Sequence, residues 1–149
     1  MSKKIKMPLT LRVVRWWFPR LEKYAPSIAT RLFVQLFFTP LHYGFPDKEL
    51  DWIHKADRSV TVVNGKRIQI YSWGEAGRPL VLFIHGWAGR GTQFRKFFSM
   101  LLEAGFRLVA FDGPAHGKSD GKRTNIIEFE AALSKVLNEQ GQPVCVIAH

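Results

Sequence analysis

Cysteine occurs once in this chain, at Cys145. No internal disulfide can form. A thiol inside the apolar run Val144-Cys145-Val146-Ile147 is expected to be a small buried hydrophobe, in keeping with a reducing, cytoplasmic compartment. Acidic residues are scarce as well, 12 against 22 Lys and Arg, and the resulting charge of +10 is unevenly placed. Residues 1–35 hold Lys3, Lys4, Lys6, Arg12, Arg15, Arg20, Lys23 and Arg31 against Glu22 alone. No apolar run reaches the ~20 residues that span a bilayer, because the stretch from Ser27 to Thr39 is broken by Arg31 and Gln35 and closed by Pro40. Lys3, Lys4 and Lys6 imitate the start of a signal peptide. Arg12 and Arg15 interrupt the apolar stretch behind them, and no small-x-small cleavage site appears, so secretion is disfavoured. No nucleic-acid-binding motif is present, and a basic leader interleaved with Trp16, Trp17 and Phe18 suits an anionic membrane surface better than a nucleic-acid groove. A peripheral position on a membrane through residues 1–40 is therefore the partner that the leader suggests. His42 and His54 have no partner at metal-ligand spacing, and neither a metal nor a cofactor is expected.

What is present is a globular composition, 46% apolar with 13% aromatics. Residues 1–58 read as a basic, aromatic helical leader and linker, and residues 59–149 as a separate α/β domain. The leader offers two helices, Leu9 to Phe18 and Ser27 to Phe38, stopped by Pro19 and Pro40. In the second, Ile28, Leu32, Phe33, Leu36 and Phe37 share a face that needs a surface, either the adjoining domain or a membrane. Leu41 to Arg58, with Pro46 and alternating charges, reads as the linker.

From there the pattern is that of strands and helices in alternation. Val60–Val63 and Ile68–Tyr71 flank Asn64-Gly65, a dipeptide that accepts the positive φ angles of a tight hairpin. Leu80–Ile84 and Leu108–Phe111 are continuous apolar runs of the kind buried on both faces of a parallel sheet. Between them Phe94, Phe97, Phe98, Leu101 and Leu102 repeat at helical spacing up to Gly105. A second helix starts at Asn125 with Glu128 as in a capping box, buries Phe129, Ala132, Leu133, Val136 and Leu137, and stops at Gly141 before a last strand, Val144 to Ala148. The order is an antiparallel hairpin followed by parallel strand-helix units, an α/β fold.

In open parallel sheets ligands bind at the carboxyl ends of the strands, and here those ends carry loop 85–91, loop 112–125 and Ala148-His149. The loop His85-Gly86-Trp87-Ala88-Gly89, the turn Asp112-Gly113-Pro114-Ala115-His116-Gly117-Lys118-Ser119, and the strand ending in Ala148-His149 come in the order and spacing of one family. Residues 60–149 resemble the N-terminal half of an α/β-hydrolase, with the chain ending just before the nucleophile of the strand-to-helix elbow. The resemblance implies an incomplete α/β-hydrolase-type sheet. It also makes the Trp87 backbone N–H an oxyanion donor supported by His85, Gly86 and Gly89, while Asp112, His116, Gly117 and Ser119 shape the neighbouring loop. Ala148 and His149 would form the approach to the elbow. The nucleophile, acid and base of the triad are absent from these residues, and one oxyanion donor alone supplies only about 3 kcal/mol.

The activity so implied for the parent protein is hydrolysis of a carboxylic ester or related acyl compound by a serine nucleophile, with this 149-residue chain inactive alone. An acyltransferase, or an aspartate-nucleophile dehalogenase or epoxide hydrolase, would use the same fold. A different class is a non-catalytic remnant or a membrane- or partner-binding module. Two nucleotide motifs are excluded. Gly113 to Ser119 has three residues between its glycines where a phosphate-binding loop needs four, and Gly86 to Gly91 has its glycines in the reverse of the dinucleotide order.

Overall fold

The computed structural model describes residues 9–149, with side chains from Arg12 onward. Two compact units divide between Phe38 and Thr39. The first holds helices α1 (Leu9–Tyr24) and α2 (Pro26–Phe37). Pro19 does not end α1, which continues through it to Tyr24. A proline removes one backbone donor and crowds the preceding turn. Here the Arg20 guanidinium donates to the Trp16 carbonyl in that turn and stacks over the Trp16 ring at 4.0 Å. Pro26 stands in the first turn of α2, where the missing N–H would have had no helical partner.

The second unit begins earlier than the sequence suggests. Residues 41–58 are not a bare linker, for α3 (Asp47–His54) starts after Pro46 with Asp47 and Glu49 in its first turn, where the helix dipole favours acids. Its Ile53 is fully buried, and Trp52 packs edge-on against Phe98. The strands are β1 (Asp57–Val63), β2 (Lys66–Trp73), β3 (Leu80–Ile84), β4 (Arg107–Phe111) and β5 (Cys145–Ala148), in the spatial order β1-β2-β4-β3-β5. β1 and β2 are an antiparallel hairpin whose Asn64 and Gly65 both take positive φ, the geometry of a type I′ turn. β2 continues antiparallel onto β4, while β3 runs parallel to both β4 and β5.

The unbroken apolar runs are explained by cover on both faces. Tyr71, Trp73, Val81, Phe83, Leu108 and Ala110 face Ile53, Phe94 and Phe98. Ile68, Ile70, Leu80, Leu82, Val109 and Phe111 face Ala132 and Val136 of α5 (Ile126–Gln140). The helix read over 94–102 is shorter than its periodicity implies. Gly91–Phe94 is a 3₁₀ turn, and α4 covers only Phe98–Glu103, since the Gln93 side chain accepts from the Arg90 N–H and tightens the entry. Asn125 caps α5 by accepting from the Glu128 N–H at 2.9 Å, but the Glu128 carboxylate pairs with Lys66 at 2.8 Å, so the box closes on one side only.

The reading of Cys145 as buried is corrected: its thiol is exposed. β5 is an edge strand paired only with β3, and Val144 and Val146 are exposed beside Cys145, since no described element lies over them.

Candidate active site

The carboxyl ends of β3, β4 and β5 lie side by side. Ile84 is paired with Ala148, and the His149 N–H donates to the Ile84 carbonyl at 3.1 Å. The loop 85–89 therefore turns away directly beside Ala148-His149. Gly86 is required there because a Cβ would overlap the His149 carbonyl, and Gly89 because one would strike the Gln93 side chain. Ala88 carries a positive φ of 56°, a strained value for a residue with a Cβ. Trp87 is half exposed, with its indole edge-on to the His116 ring at 5.6 Å between centroids.

His85 and His116 lock this loop to the one after β4. The Gly113 N–H donates to His85 Nε2 at 2.8 Å, while His85 Nδ1 donates to the Gly86 carbonyl at 2.8 Å. In the opposite sense the Ala88 N–H donates to His116 Nε2 at 3.1 Å, and His116 Nδ1 donates to the Pro114 carbonyl at 2.9 Å. Each imidazole accepts at Nε2, so each must be neutral with its proton on Nδ1. Burial enforces that state, holding His85 down to about 4 and displacing His116 downward too. The rings lie 4.9 Å apart, and Phe129 of α5 meets both edge-on. Phe129 also fills the place of a Cβ at Gly113. Both nitrogens of His85 are thus engaged with backbone.

Asp112, at the end of β4, is fully buried. Burial raises its carboxyl, and the hydrogen bonds that it receives oppose that rise. Those donors are the Gly91 N–H at 2.8 Å, the Lys118 N–H at 2.8 Å and the Tyr71 hydroxyl at 2.9 Å. Its carbonyl accepts from the Ser119 hydroxyl, whose oxygen in turn accepts from the Gln69 N–H at 2.9 Å. Gly117, at φ 49°, leaves the space that the carboxylate occupies. Asp112, Gly117 and Ser119 thus tie together the 3₁₀ turn, β2 and the loop after β4.

Sequence reasoning missed Glu49. Its buried carboxylate accepts from Arg90 Nε at 2.7 Å, from the Thr92 hydroxyl at 2.9 Å and from Arg95 Nη1 at 3.0 Å. Arg90 also donates to the Tyr43 carbonyl at 2.9 Å and lies over the Phe45 ring at 4.6 Å. The loop at the carboxyl edge is thereby anchored to α3 on its far side. Glu49 and Arg90 are 41 residues apart, so no spacing rule joins them. The one signal in the sequence was an acid in the first turn of a helix read instead as linker. Among the described residues no three of His, Cys, Asp and Glu converge as a metal-ligand set.

This is the chain order and edge of a known fold, and residues 79–147 match the family model described as alpha/beta hydrolase fold. The chain carries part of the α/β-hydrolase fold. A non-heme chloroperoxidase of Kitasatospora aureofaciens is 39% identical over 59 residues, 40% of this chain and 21% of that protein. A bifunctional esterase/perhydrolase of Acinetobacter calcoaceticus is 35% identical over 60 residues, 40% of this chain and 22% of that protein. Among solved structures, the thioesterase domain from the curacin biosynthetic pathway superposes with a TM-score of 0.56 at 28% identity, over 63% of this chain and 35% of that one. Epoxide hydrolase A of Mycobacterium thermoresistibile gives 0.55 at 25% identity, over 63% of this chain and 31% of that one. This α/β-hydrolase-fold chain thus spans about a fifth of the length of those curated relatives and about a third of those structures.

Proposed function

We propose that the protein is a serine hydrolase acting on a carboxylic ester or related small acyl substrate, of which these residues form the N-terminal portion. The observation that carries this reading is the abutment of the 85–89 loop on Ala148-His149, with Gly86 against the His149 carbonyl. A nucleophile in the next position would stand beside the loop that holds the Trp87 N–H. In this reading the serine oxygen attacks the acyl carbonyl, the alcohol leaves with a proton delivered by the base, and water then releases the acid. The Trp87 N–H and the N–H following the nucleophile stabilise the oxyanion, at about 3 kcal/mol for each donor lost. The acid and base come from residues beyond His149, and the 149-residue chain alone is inactive. The activities named for the Acinetobacter esterase/perhydrolase and the curacin thioesterase domain support acyl chemistry.

A second reading takes an aspartate at the same position, favoured by the likeness to epoxide hydrolase A. The experiment is to read the coding sequence beyond His149, measure the intact mass of the natural product, and treat it with a fluorophosphonate. Serine followed by x-Gly, with a covalent phosphonyl adduct formed as fluoride leaves, supports the acyl-hydrolase reading. Aspartate and no adduct replace it with alkyl-ester chemistry. A natural product ending at His149 with no esterase activity makes the protein a non-catalytic remnant.

A further inference from the structure

Helices α1 and α2 combine two properties that rarely coincide on a folded surface. Val13, Trp16, Trp17 and Tyr24 of α1 are exposed, and so are Ile28, Phe33, Leu36 and Phe37 of α2. Large apolar side chains in that number are not the scatter of a normal soluble surface. Arg12, Arg15, Arg20, Lys23 and Arg31 stand among them with Glu22 as the single acid, and among the described residues none of these five cations makes an ion pair. Two of the five lie against aromatic faces: Arg20 stacks on Trp16 at 4.0 Å, and Lys23 lies 5.4 Å from the centre of the Tyr24 ring.

We propose that the α1–α2 unit is a docking surface for an anionic phospholipid bilayer, on which it lies in the interface rather than crossing it. Charge selects this occupant. A complementary protein face would need the apolar residues bounded by a defined set of acids, whereas a sheet of anionic headgroups satisfies cations at any position around the helices. Tryptophan and tyrosine favour the headgroup level, where the ring is half in hydrocarbon and its N–H or O–H half in water. The long Arg and Lys stems can follow the helices down while their charges reach the phosphates. No helix among the described residues is long and apolar enough to cross a membrane. Lys3, Lys4 and Lys6 lie outside the described residues, and the proposal does not use them. It is independent of the reaction assigned above.

The test is flotation of the full chain, made by cell-free synthesis, with vesicles of phosphatidylcholine alone or with one-third phosphatidylglycerol. Flotation separates bound protein from aggregate, which sediments. The expected result is binding to the anionic vesicles only, lost when the ionic strength is raised from about 0.1 M to about 1 M and screening shortens from ~10 to ~3 Å. Replacing Arg12, Arg15, Lys23 and Arg31 with Gln should lower partitioning at least about tenfold. Trp16→Ala with Trp17→Ala should weaken it without restoring binding to neutral vesicles, and brominated lipid should quench those indoles in the parent chain. Equal binding to neutral vesicles, or unchanged binding in both sets of variants, overturns the proposal. So does a discrete dimer that the two Trp substitutions dissolve in a chain that does not float, which would assign the face to a second copy.

Discussion

Acidification should unlock the two loops at the carboxyl edge, and the size of the effect is set by His85. Its Nε2 is the acceptor for the Gly113 N–H, so protonation removes a buried hydrogen bond and places a charge where burial opposes one. The folded value is down at about 4 against 6.5 for the free side chain. Between those values the unfolded chain holds the extra proton, so native stability is complete above about pH 6.5 and falls as the pH drops toward 4. At 1.36 kcal/mol per unit, the loss from this one residue approaches about 3 kcal/mol at pH 4, and is about 2 kcal/mol at pH 5. The same sign applies to His116, which adds to the loss. The measurement is equilibrium urea unfolding at pH 7 and pH 5, monitored by tryptophan fluorescence, to which the buried Trp73 and the partly buried Trp52 contribute. His85→Asn serves as the comparison, since its amide oxygen can accept from Gly113 but does not titrate. The parent chain should lose about 2 kcal/mol more than the variant on going to pH 5. Equal losses in the two proteins would refute the assignment of a neutral, accepting His85.

Three further outcomes are expected. Gly117→Ala sets a methyl group on the Asp112 carboxylate at a positive φ, and should cost roughly 3 kcal/mol or more, read as a fall in melting temperature. Glu49→Gln leaves Arg90 and Arg95 without their buried carboxylate and should destabilise by about 3 kcal/mol, with faster proteolysis within 85–95 as the local readout. Val146→Lys, which charges the exposed edge strand, should slow aggregation of the 149-residue chain in light scattering without lowering its unfolding midpoint, and makes a suitable background for the other measurements.

The fold is legible wherever one local rule dominates. Asn64-Gly65 specifies its hairpin because few other residues accept both positive φ angles. Asn125 specifies the start of α5 because its side chain satisfies a helix N–H that has no other partner. The apolar runs 80–84 and 108–111 announce a sheet covered on both faces. Where two local rules compete, sequence and structure part. Pro19 reads as a stop, yet α1 runs on past it, and Pro46 suggests linker where it opens a helix.

By itself, then, the sequence determined the order of strands and helices from the hairpin onward, the α/β class and the three chain segments gathered at the sheet's carboxyl edge. Each of these comes from side-chain periodicity or from the backbone freedom of single residues. Only the tertiary structure decided how those segments brace one another. The exchange of N–H groups between the His85 and His116 loops, the caging of Asp112 by Tyr71, Gly91 and Lys118, and the grip of Glu49 on Arg90 and Arg95 all join residues far apart in the chain. Cys145 makes the same point from the other side. Its apolar neighbours specify a strand, but whether that strand is covered depends on what packs beside it, which no periodicity within the strand records.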